Sequence, residues 1–108
     1  MLGRKGDDLT LTVPITFAEA ALGTTLTVPT LDGTVSLKVP AGTASGRTLR
    51  VRGRGVPGKR SSGDLLVTVE VAVPKNLPAD AREALEKYAA AQPDDPRPQV
   101  TAAVDGRA

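Results

Sequence analysis

The chain has 108 residues, enough for one domain with a modest core and too few for two. It contains no Cys and no His, which excludes disulfides, thiolate zinc sites, thiol nucleophiles and imidazole bases together. The 14 basic and 12 acidic residues leave a formal charge of +2, a near balance that does not by itself imply a polyanionic partner.

One Phe, one Tyr and no Trp mean that the core must be built from Val, Leu and Ala, and that little is available for base stacking. No stretch approaches the roughly 20 apolar residues of a membrane span. The short polar segment Met1–Asp8 lacks the apolar centre of a signal peptide, so a soluble cytoplasmic chain is expected.

Leu9, Leu11, Val13 and Ile15 alternate with polar residues and Pro14, which predicts a half-buried strand with Pro14 at an edge or a strand end. Thr16 and Glu19 then have the spacing of a capping box, and Phe17–Leu22 suits a short helix closed by Gly23 with a left-handed cap. So short a helix depends on tertiary packing. Leu26 and Val28 alternate in a second strand, and Asp32-Gly33 is a strong hairpin signal. Val35, Leu37 and Val39 form the returning strand, Ala41–Gly46 a small-residue loop, and Leu49 and Val51 a fourth strand whose other face carries Arg50 and Arg52. Gly53–Gly63 is a glycine-rich basic loop. Leu65, Val67, Val69, Val71 and Val73 make the longest alternating run, ending at Pro74.

Pro78 stands near the first position of a helix over Ala79–Ala91, where its missing N–H costs nothing. Ala81, Ala84, Leu85 and Tyr88 share one face of that helix, and Glu83 and Lys87 form a favourable i,i+4 pair worth ~0.3 kcal/mol. From Gln92 onward the prolines predict a disordered tail over 92–108. The fold expected is mainly β: a small sandwich-like domain of about five to six short strands over 1–78, with one short helix after the first strand and a C-terminal helix over 79–91.

No catalytic constellation stands out. Asp7, Asp8, Asp32 and Asp64 each occupy a turn or a strand entry, where Asp serves the backbone, and no phosphate-cradling glycine motif is present. No metal site, cofactor or enzymatic activity is expected. The sharpest electrostatic feature is Arg47, Arg50, Arg52, Arg54, Lys59 and Arg60. Such a cluster reads either as a nucleic-acid groove contacting phosphates or as a solvated strand face kept soluble by charge, and the scarcity of aromatics favours the second. Leu11, Val13, Leu26 and Val28 read as core, or as the wall of a groove that receives an extended peptide by strand addition. Leu85 and Tyr88 close the domain or make a dimer contact.

The succession Pro14-Ile15-Thr16-Phe17-Ala18-Glu19-Ala20-Ala21-Leu22-Gly23, Val28-Pro29-Thr30-Leu31-Asp32-Gly33, Val39-Pro40-Ala41-Gly42-Thr43, Leu49 to Pro57 and Gly63-Asp64-Leu65-Leu66-Val67 resembles the C-terminal region of DnaJ-type J-domain co-chaperones. The likeness covers about Gly3 to Ala91. It implies the second of two similar β-domains, followed by a dimerisation helix. Such domains hold unfolded or aggregation-prone polypeptides and pass them to a DnaK-type ATP-dependent chaperone. It further implies a client groove at Leu11 and Val13 on one strand and Leu26 and Val28 on the next, with homodimer contacts at Leu77, Leu85 and Tyr88. The family's ATPase-stimulating His-Pro-Asp motif and zinc-binding cysteines are absent from this sequence, so the chain is expected to be the fragment that holds and pairs.

Overall fold

The computed structural model describes residues 2–57, 63–92 and 94–106. The chain divides into two units, Met1–Val73 and Pro74–Ala108. The first is mainly β: β1 (Gly3–Lys5), β2 (Asp8–Thr16), α1 (Phe17–Leu22), β3 (Thr24–Thr30), β4 (Gly33–Val39), β5 (Thr48–Val51) and β6 (Leu65–Ala72). Four strands form one sheet in the order β1-β2-β6-β5, and β3 and β4 form a separate hairpin sheet.

The alternating rows predicted for β2 and β6 become the centre of the molecule. The two strands pair in parallel from Leu9↔Leu65 to Thr16↔Ala72, so their apolar rows fall on the same side of the sheet. Leu65, Val67 and Val69 are completely buried, and Leu9, Leu11 and Ile15 nearly so. Val28 and Val39 from the second sheet and Ala20 from α1 complete this core. Each fully buried Val or Leu contributes about 1.5–3 kcal/mol, which lets a core without large aromatics hold. A parallel pair requires a long crossover, and α1, the β3–β4 hairpin and β5 supply it.

The capping box forms as its spacing predicts. The Thr16 hydroxyl accepts from the Glu19 N–H at 3.0 Å, and the Glu19 carboxylate accepts from the Thr16 N–H at 2.9 Å. At the other end Gly23 has φ +88° and donates its N–H to the Glu19 carbonyl at 2.9 Å. A Cβ there would lie 3.0 Å from the Ala41 nitrogen and 3.1 Å from the Val39 oxygen, so both conformation and space demand glycine. The Ala20 carbonyl accepts from Gly42 and Thr43 at 2.9 and 3.0 Å, so the small-residue loop satisfies the open end of the helix.

Several details differ from the pattern-based expectation. Strand β1 is exposed throughout and has no apolar alternation; it forms because the near half of β2 offers it backbone partners, Gly3↔Thr10 to Lys5↔Asp8. The β3–β4 turn is Leu31-Asp32 rather than Asp32-Gly33, with Thr30 opposite Gly33 and the Thr30 hydroxyl donating to Asp32 at 3.0 Å. In the second unit α2 spans Ala79–Ala91, the range read from the sequence, with Pro78 as its N-cap rather than in its first turn. The segment expected to be disordered contains a helix, α3 (Pro98–Asp105). Pro98 sits in its first turn, where a missing N–H is harmless, and the residues after it are free of further breakers up to Gly106.

Candidate functional site

Among the described residues of the first unit, the strand edges with no strand beside them include the part of β2 beyond β1 and the outer side of β3, the two that flank α1 in the chain. Strand β2 is flanked by β6 along its whole length but by β1 only as far as Thr10. The Leu9 N–H donates to the Asp64 carbonyl at 2.9 Å, so Leu9, Leu11, Val13 and Ile15 direct their backbone groups towards β6. The alternate residues Thr12, Pro14 and Thr16 therefore direct theirs to the open side. Of their N–H groups, that of Thr16 is taken by Glu19, and Pro14 has none. The sequence expectation that Pro14 marks an edge is met at a half-open strand.

Strand β3 pairs only with β4, in register from Thr24↔Val39 to Thr30↔Gly33. In an antiparallel ladder opposite residues exchange both hydrogen bonds or none, and a proline fits only the second kind of position. Pro29, opposite Thr34, thus faces outward, together with Thr27 and Thr25.

Between these edges in the chain lies α1, which exposes Phe17 at 49% and Leu22 at 79%. The four apolar groove candidates divide into two kinds. Leu11 and Val28 belong to the core, at 4% and 2% exposure, whereas Val13 and Leu26 are half-buried against it. What residue patterning missed was the backbone itself: Thr12, Thr25 and Thr27 carry the outward N–H and C=O groups. The nearby prolines were the available signal.

The basic segment is organised by a carboxylate. Asp64, at the entry of β6, accepts from the Gly53 N–H at 3.0 Å and forms a salt bridge with Arg50. The Gly53 hydrogen bond first, and then Arg50, hold the Asp64 carboxyl below its ordinary value. The Asp64 N–H in turn donates to Asp8 at 2.8 Å. Arg50 is thereby engaged within the domain, while Arg47, Arg52 and Arg54 are exposed; Lys59 and Arg60 lie outside the described residues. Asp7 forms an exposed pair with Arg4 at 3.6 Å, so each of the four candidate carboxylates has a structural partner. Among the described residues no group of three or more carboxylates is placed to hold a metal ion.

In the second unit Leu85 and Tyr88 are exposed on α2 at 45% and 47%, Leu77 before the helix is half-buried, and the Tyr88 hydroxyl donates to Gln92 at 3.0 Å. Lys87 and Glu83 approach to 3.7 Å in the expected i,i+4 pair. Val100 and Val104 are exposed on α3. No helix among the described residues is long and apolar enough to cross a membrane.

The family model described as DnaJ C terminal domain matches residues 1–74. The chain is 71% identical over 94 residues to Chaperone protein DnaJ 1 of Mycobacterium bovis, covering 85% of this chain and 24% of that protein. It is 64% identical over 93 residues to Chaperone protein DnaJ 2 of Nocardia farcinica, covering 85% of the chain and 24% of the relative. With Chaperone protein DnaJ 1 of Streptomyces coelicolor it shares 56% identity over 109 residues, which is 98% of the chain and 27% of the relative. The chain thus spans about a quarter of the length of these bacterial relatives.

Proposed function

We propose, from the premise that the chain belongs to the DnaJ C-terminal domain family, that it holds extended segments of unfolded polypeptides and pairs with a second copy of itself. The observation that carries this is the pair of open strand edges on β2 and β3, flanking a helix that exposes Phe17 and Leu22. A client strand added at such an edge gains backbone hydrogen bonds that do not depend on its sequence. Val13 and Leu26 supply half-buried apolar contact, while Leu11 and Val28 hold the strands rigid from beneath. Sequence-independent pairing with little apolar wall gives weak binding to many clients, which suits holding followed by release. The dimer contact falls to Leu77, Leu85 and Tyr88, and two linked copies raise avidity by about 10²–10⁴ without new contacts. Delivery of clients to a DnaK-type chaperone in the bacterial cytoplasm is the role proposed for the whole protein of which this chain corresponds to a part.

The test is a residue-resolved NMR titration of the chain with a permanently unfolded polypeptide. Shifts at Thr12, Val13, Phe17, Thr25, Leu26 and Thr27 are the expected result. Shifts confined to Arg47–Arg54, or binding of nucleic acid in place of polypeptide with steep salt dependence, would move the function to the basic segment.

A further inference from the structure

The open edges of β2 and β3, which flank α1, share a feature that general client binding does not require. Each carries one proline whose ring occupies an outward-facing backbone position: Pro14 on β2 and Pro29 on β3. Pro14 is exposed and Pro29 half-buried. On β2 the free part of the edge is reduced to the N–H and C=O of Thr12 and the C=O of Pro14, because β1 covers the strand before it and the capping box takes the N–H of Thr16. On β3 the outward N–H groups are those of Thr25 and Thr27, and this outward row ends at Pro29, which has none.

Long edges with every N–H unpaired invite indiscriminate association, and a proline is one of the few devices that blunts them without adding charge. The remaining outward side chains are threonines, which favour extended structure and add little apolar adhesion. The geometry points to Pro14 and Pro29 as edge guards: they cap how many backbone hydrogen bonds an added polypeptide strand can make, keep its binding weak, and prevent these same edges from pairing with a second copy of the chain. For its ligand this rests on the client-holding function proposed above; for self-association it does not.

The test replaces each proline by threonine in the full chain, Pro14→Thr and Pro29→Thr, with Pro14→Ala and Pro29→Ala as variants that restore the N–H without a β-branched side chain. One restored hydrogen bond is worth about 0.5–1.5 kcal/mol, so each variant is expected to bind a fluorescent, permanently unfolded polypeptide about 2–10-fold more tightly by anisotropy. Sedimentation velocity is expected to show concentration-dependent assembly beyond that of the parent, strongest in the double variant. Circular dichroism melting identifies variants that retain the fold. Folded variants that neither bind more tightly nor self-associate overturn the guard role. A parent that binds no unfolded polypeptide overturns the client-holding function instead, and sedimentation of the variants then decides the guard role alone.

Discussion

Asp64 and Arg50 join the entry of β6 to the outer face of β5, and the same carboxylate takes the N–H of Gly53 in the turn that follows β5. One side chain thus fixes the start of a central strand, the end of an edge strand and the base of the basic loop. Just beyond it the backbone closes tightly, with the Gly63 N–H donating to Val56 at 3.0 Å and the Val56 N–H donating to Asp7 at 2.8 Å. A Cβ on Gly63 would fall 1.9 Å from the Asp7 carbonyl oxygen, so no larger residue fits this crossing. Arg50, which in sequence looks like part of an anion-binding row, is part of this clamp.

Protonation of Asp64 is therefore expected to loosen the clamp. Its folded-state pKa lies below the ordinary value because the Gly53 hydrogen bond and Arg50 favour the ionised form. A depressed folded pKa contributes stability that is present above the unfolded pKa, near 3.8, and is lost as pH falls through the folded value. Melting temperatures measured from pH 7 down to pH 2 should fall more steeply below about pH 4 for the parent than for Asp64→Asn, which starts lower and changes less. Parallel profiles for the two proteins would show that the clamp does not govern acid stability.

Leu65→Ala removes a completely buried side chain from the strand whose Leu65, Val67 and Val69 are the most deeply buried row of the core. A loss of about 2–5 kcal/mol is expected, combining transfer and cavity costs, and is read from the urea midpoint at unchanged slope. Leu66→Ala, one residue on and only half-buried, should cost clearly less.

Gly23→Ala should destabilise rather than stabilise, against the usual benefit of reducing unfolded-state freedom. At φ +88° and ψ 155° Gly23 lies in a region open essentially to glycine, where an alanine costs about 1–3 kcal/mol, and contact with Ala41 and Val39 adds to it. Because Gly23 separates α1 from β3, amide exchange should quicken first at Gly42 and Thr43, whose N–H groups donate to the Ala20 carbonyl and join the loop to the helix end. Uniform exchange with an unchanged melting temperature would contradict the fit.

Leu85→Glu places a charge at the centre of the apolar stripe of α2. On the dimer contact proposed above, the variant should stay monomeric at concentrations where the parent is expected to pair, with a dissociation constant raised at least about tenfold, equivalent to 1.4 kcal/mol. Val100→Glu on α3 is the control, since the proposed contact does not include it. Equal dimer strength in parent and Leu85→Glu would remove α2 as the contact.

By itself the sequence determined what local periodicity and short-range chemistry can determine. Alternation in Leu9–Ile15 and Leu65–Val73 marked the two central strands, the Thr16/Glu19 spacing marked the start of α1, and Gly23 marked its end. These features depend on residues within a few positions of one another. Tertiary structure alone decided that β2 and β6, more than fifty positions apart, lie side by side and parallel, because that pairing depends on burial shared between two faces. It decided as well that the polar segment Gly3–Lys5 is a strand, since the partner and not its own side chains supplies the reason. The candidate groove divides in the same way. Leu11, Val13, Leu26 and Val28 were legible as apolar rows, but which of them keep exposed surface follows only from the packing of two sheets. That Thr12, Pro14, Thr27 and Pro29 turn their backbones to an open side follows from hydrogen-bond direction, which side-chain patterning does not encode.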